Sequence, residues 1–139
     1  MCLFCILPDS LYDRELNEKE VIDIQSRKTG RLINAACVLG VIAAGGSGEQ
    51  IEAAAKFAGC LGLAFQIRDD MLEVIGTQEE MGKGVGTDEQ KNTFVKLYGL
   101  PKCEELVQKY TAMAIDALKA FKDTAYMVDL ANSLTQRRV

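Results

Sequence analysis

The chain has 139 residues, 48% of them hydrophobic and only 2 of them proline, which fits one globular domain and excludes a disordered segment. The net charge is −4 and no basic stripe is present, so nucleic acid is excluded as a partner. There is no histidine, which argues against a zinc site and removes every mechanism that needs an imidazole.

The opening residues 1–8, MCLFCILP, are apolar but too short to span a membrane, and they lack the basic start of a signal peptide. They read as a short buried segment, or else as an abrupt start to a domain whose true beginning lies elsewhere. Asn17, with Glu20 at the capping-box position, predicts the start of a long helix running from about Glu18 to Ala44. Val21, Ile24, Leu32, Ala35, Ala36, Leu39 and Ile42 recur at helical spacing. Its second half, LINAACVLGVIAA, is apolar nearly all round and is expected to be buried on most sides.

The glycine-rich turn 45–48 ends that helix, and Ser47 with Gln50 caps the next one. The second helix is expected to run to about Ile75, closed by Gly76. Gly59 and Gly62 lie inside it, where each costs about 1 kcal/mol against Ala, so close approach by a helix or ligand is expected there. Residues 77–93 read as a loop, with Gly82, Gly84 and Gly86 around Lys83. A short helix over 93–97, a break at Gly99-Leu100-Pro101 and an amphipathic helix over 102–124 follow. Leu106, Tyr110, Met113, Ala114, Ala117 and Phe121 are expected to share its buried side. A last short helix starts near Ala125, and Arg137 and Arg138 complement its dipole. No segment reads as a strand, so the fold class is all-α, a helical bundle. No stretch is long and apolar enough to be a transmembrane segment. The five cysteines (Cys2, Cys5, Cys37, Cys60 and Cys103) are scattered among apolar neighbours and read as reduced thiols of a cytoplasmic protein.

Chemistry concentrates in GCLGLAFQIRDDMLEVIG, residues 59–76. Asp69 and Glu73 stack one helical turn apart, with Asp70 beside them and Gln66 one turn before. Oxygen donors grouped this way suit Mg²⁺, which takes few carboxylates and is completed by substrate phosphates. The same spacing also occurs on plain solvated helix faces. Lys28-Thr29-Gly30 interrupts the first helix with a glycine, and its lysine and hydroxyl can jointly bind a phosphate oxygen. Lys83 and Lys91 are further cations near the acidic patch. Together these groups form an apparatus for a diphosphate bridged by Mg²⁺.

KTGRLINAACVLG, then FAGCLGLAFQIRDDMLEVIG, then GKGVGTDEQKNTFVKLYG, resemble the C-terminal half of a trans-type polyprenyl diphosphate synthase, the farnesyl and geranylgeranyl diphosphate synthase family. The resemblance runs from about Asp9 to the end, and LANSLTQRRV resembles the family's closing helix, so the C-terminus is expected to be intact. It implies a single domain, residues 1–139, with a partial isoprenoid synthase fold. It implies that the second aspartate-rich motif falls on Phe65, Gln66, Asp69, Asp70 and Glu73, the last acid being Glu where the family has Asp. It further implies that Lys28 and Thr29 touch the allylic diphosphate, that Lys83 and Lys91 bind diphosphate, and that Gln66 serves the reaction. The implied cofactor is Mg²⁺, and the implied substrates are an allylic diphosphate and isopentenyl diphosphate.

The family's first aspartate-rich motif has no counterpart among these residues, which hold no other paired aspartates. The chain alone is therefore expected not to transfer prenyl groups. The apolar helices around residues 31–44 and 51–65 have too few others to cover them, so a homo-oligomer is expected, and a partner carrying the N-terminal half is expected to complete the site. The alternative is a catalytically silent helical subunit, or a truncated product, that binds a partner chain.

Overall fold

The computed structural model describes residues 17–81 and 93–138, without the side chains of Gln25, Ser26, Lys28 and residues 77–81. Helix α1 (Glu18–Gln25) opens on the expected capping box. The Glu20 amide donates to Asn17 Oδ1 and the Asn17 amide to Glu20 Oε2, both at 3.0 Å. The helix does not then run on unbroken. Ser26–Gly30 forms a π-helical turn, and α2 (Arg31–Ala43) follows it. The glycine in KTG has its reason here. Gly30 is buried against α3, and a Cβ on Gly62 would lie 2.9 Å from the Gly30 Cα. Two backbones meet where neither residue carries a side chain. Gly59, by contrast, is exposed, and a Cβ there would meet nothing within 4 Å, so only Gly62 marks a close approach.

The turn after α2 uses the left-handed conformation of Gly45, φ 73°. Ser47 and Gln50 form a second reciprocal cap, at 3.0 and 3.2 Å. The helix they start, α3 (Gly48–Met81), is the axis of the fold and packs most extensively on α5, then on α2. Ala54, Phe57, Leu61, Ala64, Ile67 and Met71 are buried along it. Gly76 does not close this helix, which continues to Met81. A single helical glycine costs only about 1 kcal/mol, less than neighbouring turns can supply.

Helix α4 (Phe94–Tyr98) is capped by Thr93, whose hydroxyl accepts the Lys96 amide at 3.3 Å. Gly99, at φ 78°, ends it. Helix α5 (Leu100–Ala117) begins directly, with Pro101 in its first turn, where a missing N–H costs nothing. It stops at Ala117; a 3₁₀ turn (Leu118–Ala120) and α6 (Ala125–Thr135) complete the described chain, and Phe121 lies outside α5. The buried face of α5 is Cys103, Val107, Thr111, Ala114 and Ala117, while Met113 is exposed. Ala114 and Ala117 lie on it as expected, and Leu106 and Tyr110 pack half-buried along its edge. No strand occurs among the described residues, and the fold is all-α as expected.

One core cluster joins Val21, Ile67, Met71, Phe94, Cys103 and Val107, and so ties α1, α4 and α5 to the acidic half of α3. A second, around Phe57, Leu61, Ala114, Leu118 and Ala131, closes the other half. Helix α2 departs from expectation. It has no buried residue, and Leu32, Leu39 and Ile42 are 74%, 62% and 51% exposed. Its apolar surface exceeds what α3 alone can cover.

Candidate functional site

The π turn carries Thr29 to α3. The Thr29 hydroxyl donates to Gln66 Oε1 at 3.4 Å. Gln66 Nε2 donates to Asp70 Oδ1 at 3.5 Å, and the other Asp70 oxygen accepts the Phe94 amide at 3.2 Å. Gln66 and Asp70 are 6% and 5% exposed. Buried polar groups must be partnered, and here each partners the next. The π turn, α3 and the start of α4 are thereby joined through four groups.

Asp69 is directed elsewhere. Its carboxylate is ion-paired with the guanidinium of Arg137, beyond the end of α6. That guanidinium lies 4.3 Å from the centre of the Phe65 ring, and its Nε donates to the Leu134 carbonyl at 3.0 Å. Glu73 is exposed on the following turn. Adjacent positions on a helix diverge, so Asp69 and Asp70 serve different neighbours. Among the described residues no three acids, cysteines or histidines are grouped to hold a metal.

A second network positions the C-terminal tail. Arg68 makes a bidentate pair with Glu104, at 2.9 Å for each contact, and donates to the Thr135 carbonyl at 2.6 Å. The hydrogen bond from Arg68 holds the Glu104 carboxyl below its ordinary range. Helices α3, α5 and α6 meet there, and Arg137 is brought within reach of Asp69. A cleft of 680 Å³ lies on this side, lined in part by Arg68, Glu104, Gln108, Arg137 and Arg138. Below the acidic stripe, burial pushes the Cys103 thiol up to about 11, with the nearby Asp70 charge adding to it. Burial also raises the Tyr98 phenol to about 12, helped by its hydrogen bond with Glu18.

Of the residues expected from sequence, Thr29, Gln66 and Asp70 are brought together, and Asp69 and Glu73 lie on the outer side of the same stripe. Lys28 lies in the π turn beside Thr29, but its side chain is outside the described residues, as are Gly82, Lys83 and Lys91. Arg137 was not anticipated; its partner is 68 positions away, and no local signal marks it.

The polyprenyl synthetase family profile matches residues 8–131. This chain belongs to the polyprenyl synthetase family. A chloroplastic heterodimeric geranylgeranyl pyrophosphate synthase large subunit 1 of Arabidopsis thaliana is 40% identical over 119 residues, 83% of this chain and 32% of that protein. A chloroplastic geranylgeranyl pyrophosphate synthase of Catharanthus roseus is 36% identical over 136 residues, 95% of this chain and 38% of its own. A solved geranyltransferase of Helicobacter pylori, complexed with magnesium and isoprenyl diphosphate, superposes with a TM-score of 0.68 at 29% identity. That superposition covers 91% of this chain and 43% of the other. The chain thus spans about a third of the length of the curated relatives it matches. Among the described residues no helix is long and apolar enough to cross a membrane. The two plant relatives are named chloroplastic, which lends the cytoplasmic expectation no support.

Proposed function

We propose that this chain forms the diphosphate-binding, magnesium-dependent side of a prenyl-transfer site. In the reaction an allylic diphosphate loses its diphosphate, the double bond of isopentenyl diphosphate attacks the resulting allylic cation, and the new cation loses a proton to the released diphosphate. The observation that carries the reading is the contact between the Thr29 turn and Gln66, one helical turn before the acidic stripe. Through Gln66 the hydroxyl of the KTG segment is linked to Asp70, on the helix that also carries Asp69 and Glu73, acids that suit a hard cation. Asp69 and Glu73 fit Mg²⁺ best, since both reach solvent and both are hard oxygen donors. When bound there, Mg²⁺ would neutralise the departing diphosphate. Thr29 would donate its hydroxyl to a diphosphate oxygen, and Lys28, Lys83 and Lys91 would supply direct positive charge. Gln66 would hold the Thr29 hydroxyl proton until a diphosphate oxygen replaces it as the acceptor, since a hydroxyl has one proton to give. The domain assignment that follows is the C-terminal half of a polyprenyl synthetase.

Titration calorimetry with Mg²⁺ and inorganic diphosphate tests the site. Wild type should bind the pair more tightly than Mg²⁺ alone, and Asp69→Ala should lose that gain. Equal heats for both proteins would end this reading. Turnover is a separate matter, because the sequence holds one aspartate-rich motif. No incorporation of labelled isopentenyl diphosphate is expected from the chain alone. Incorporation is expected when a chain carrying the first motif is supplied.

The exposed stripe on α2, with Leu32, Leu39 and Ile42, favours a second reading, that of a helical subunit acting through a partner. Binding of such a partner without any gain in turnover would support it.

A further inference from the structure

The three acids of the stripe are not equivalent. Asp69 and Glu73 face outward, whereas Asp70 is 5% exposed and lies beside the cluster of Phe94, Met71 and Cys103. Both of its oxygens are engaged. Oδ2 accepts the first amide of α4, and Oδ1 accepts from Gln66. Helix α4 is only five residues long and cannot hold its own start in place. Thr93 caps it from within, and Asp70 caps it from another helix. The same carboxylate decides which way the Gln66 amide faces. With Nε2 turned to Asp70, Oε1 is left to accept the Thr29 hydroxyl.

We propose that Asp70 is a positioning residue that pins the start of α4 and orients Gln66 toward Thr29, and that it is not a ligand of the metal. The metal half of this statement rests on the reading of Asp69 and Glu73 as the magnesium-binding acids. The pinning half does not. A buried carboxylate already accepting two hydrogen bonds would have to give up both neighbours to approach a cation at the surface. Asp69 has only to part from a half-exposed arginine.

Asparagine separates the two roles. Asp70→Asn removes the charge a Mg²⁺ ligand needs but keeps an oxygen for the Phe94 amide. Its NH₂ can donate to a reversed Gln66, whose own NH₂ then faces the Thr29 oxygen. The test uses the full chain, hydrogen exchange at the Phe94 amide, and calorimetry with Mg²⁺ and inorganic diphosphate. Asp70→Asn should keep Phe94 protected and hold the magnesium-diphosphate affinity within about threefold of wild type. Asp69→Asn should lose about tenfold or more in affinity, with Phe94 protection unchanged. Asp70→Ala should speed Phe94 exchange by about tenfold.

Asp70→Asn losing as much affinity as Asp69→Asn would overturn the proposal. So would Asp70→Ala leaving Phe94 exchange at the wild-type rate. If Asp70→Ala does not fold, Asp70→Asn decides by the same affinity comparison. If wild type binds no magnesium-diphosphate, the metal reading fails, and Phe94 exchange in Asp70→Ala still decides whether Asp70 pins α4.

Discussion

The guanidinium of Arg137 spans Phe65 and Asp69, stacked 4.3 Å over the ring of one and ion-paired with the carboxylate of the other. A cation entering at Asp69 must displace it. Arg137→Ala should therefore raise the affinity for Mg²⁺ alone. The pair is half-exposed, so the gain is limited to about 1 kcal/mol, a few-fold in affinity. Calorimetry without diphosphate measures it. Unchanged or weaker binding would show that Arg137 does not compete for this carboxylate.

The contact of Gly62 with Gly30 predicts opposite signs for two identical substitutions. Gly62→Ala drives a methyl against the Gly30 backbone, which cannot rotate away as a side chain would. It should cost about 1–3 kcal/mol and lengthen the Thr29–Gln66 contact. Gly59→Ala meets nothing and should stabilise α3 by up to about 1 kcal/mol. Urea unfolding of both variants checks this, and equal effects would refute the close approach.

Arg68 holds Glu104 and the Thr135 carbonyl together. Arg68→Ala should cost about 1–3 kcal/mol, mostly by leaving that carbonyl without its donor. The folded Glu104 pKa lies below its unfolded value. Its contribution is complete above the ordinary glutamate range and is lost as pH falls through the depressed folded value. Unfolding measured at descending pH should show a shallower acid limb for Arg68→Ala than for wild type. Parallel limbs would mean that Glu104 draws no stability from the pair.

Cys103 is fully buried and its thiol is raised to about 11, while Cys37 and Cys60 are only half-buried. Alkylation at mild alkaline pH requires both thiolate and access. Among these three, Cys103 should be modified last, and chiefly through unfolding. Mass spectrometry over a time course reports the order, and labelling of Cys103 as early as Cys37 would contradict its burial.

Leu32 and Leu39 lie on one exposed stripe of α2. Leu39→Lys should leave the stability of the monomer within about 0.5 kcal/mol, since the side chain buries little. It should reduce self-association or binding of a complementing chain. Light scattering across a concentration series detects the first and pull-down of that chain the second. Wild-type behaviour in both would place any interface elsewhere.

The helices were legible because their signals are local. Asn17 with Glu20 and Ser47 with Gln50 are capping pairs three residues apart, and both form. Gly76 misled because its cost is small beside the turns around it. The acidic stripe could be placed on one helix from its spacing alone. Which carboxylate turned inward could not, because that depends on Phe94 arriving from another helix, 24 positions on. Arg137 was hidden for the same reason, and a helix-end arginine already had a sufficient local explanation in the dipole. The apolar stretch that forms α2 showed that it needs cover without showing what supplies it.

The π turn at Ser26–Gly30 fits one more residue into its loop of hydrogen bonds than an α turn does. Counted along the chain, that residue works as an insertion whose register is never repaid. Remove it, and the letters of every motif survive while α1 rotates by a fraction of a turn about the axis of α2. Val21, now in the core beside Phe94, would swing away from it. The spacing between Asn17 and Gly30 is therefore as much a part of the site's specification as any of its side chains, and a length change there would damage it with all of those side chains still present.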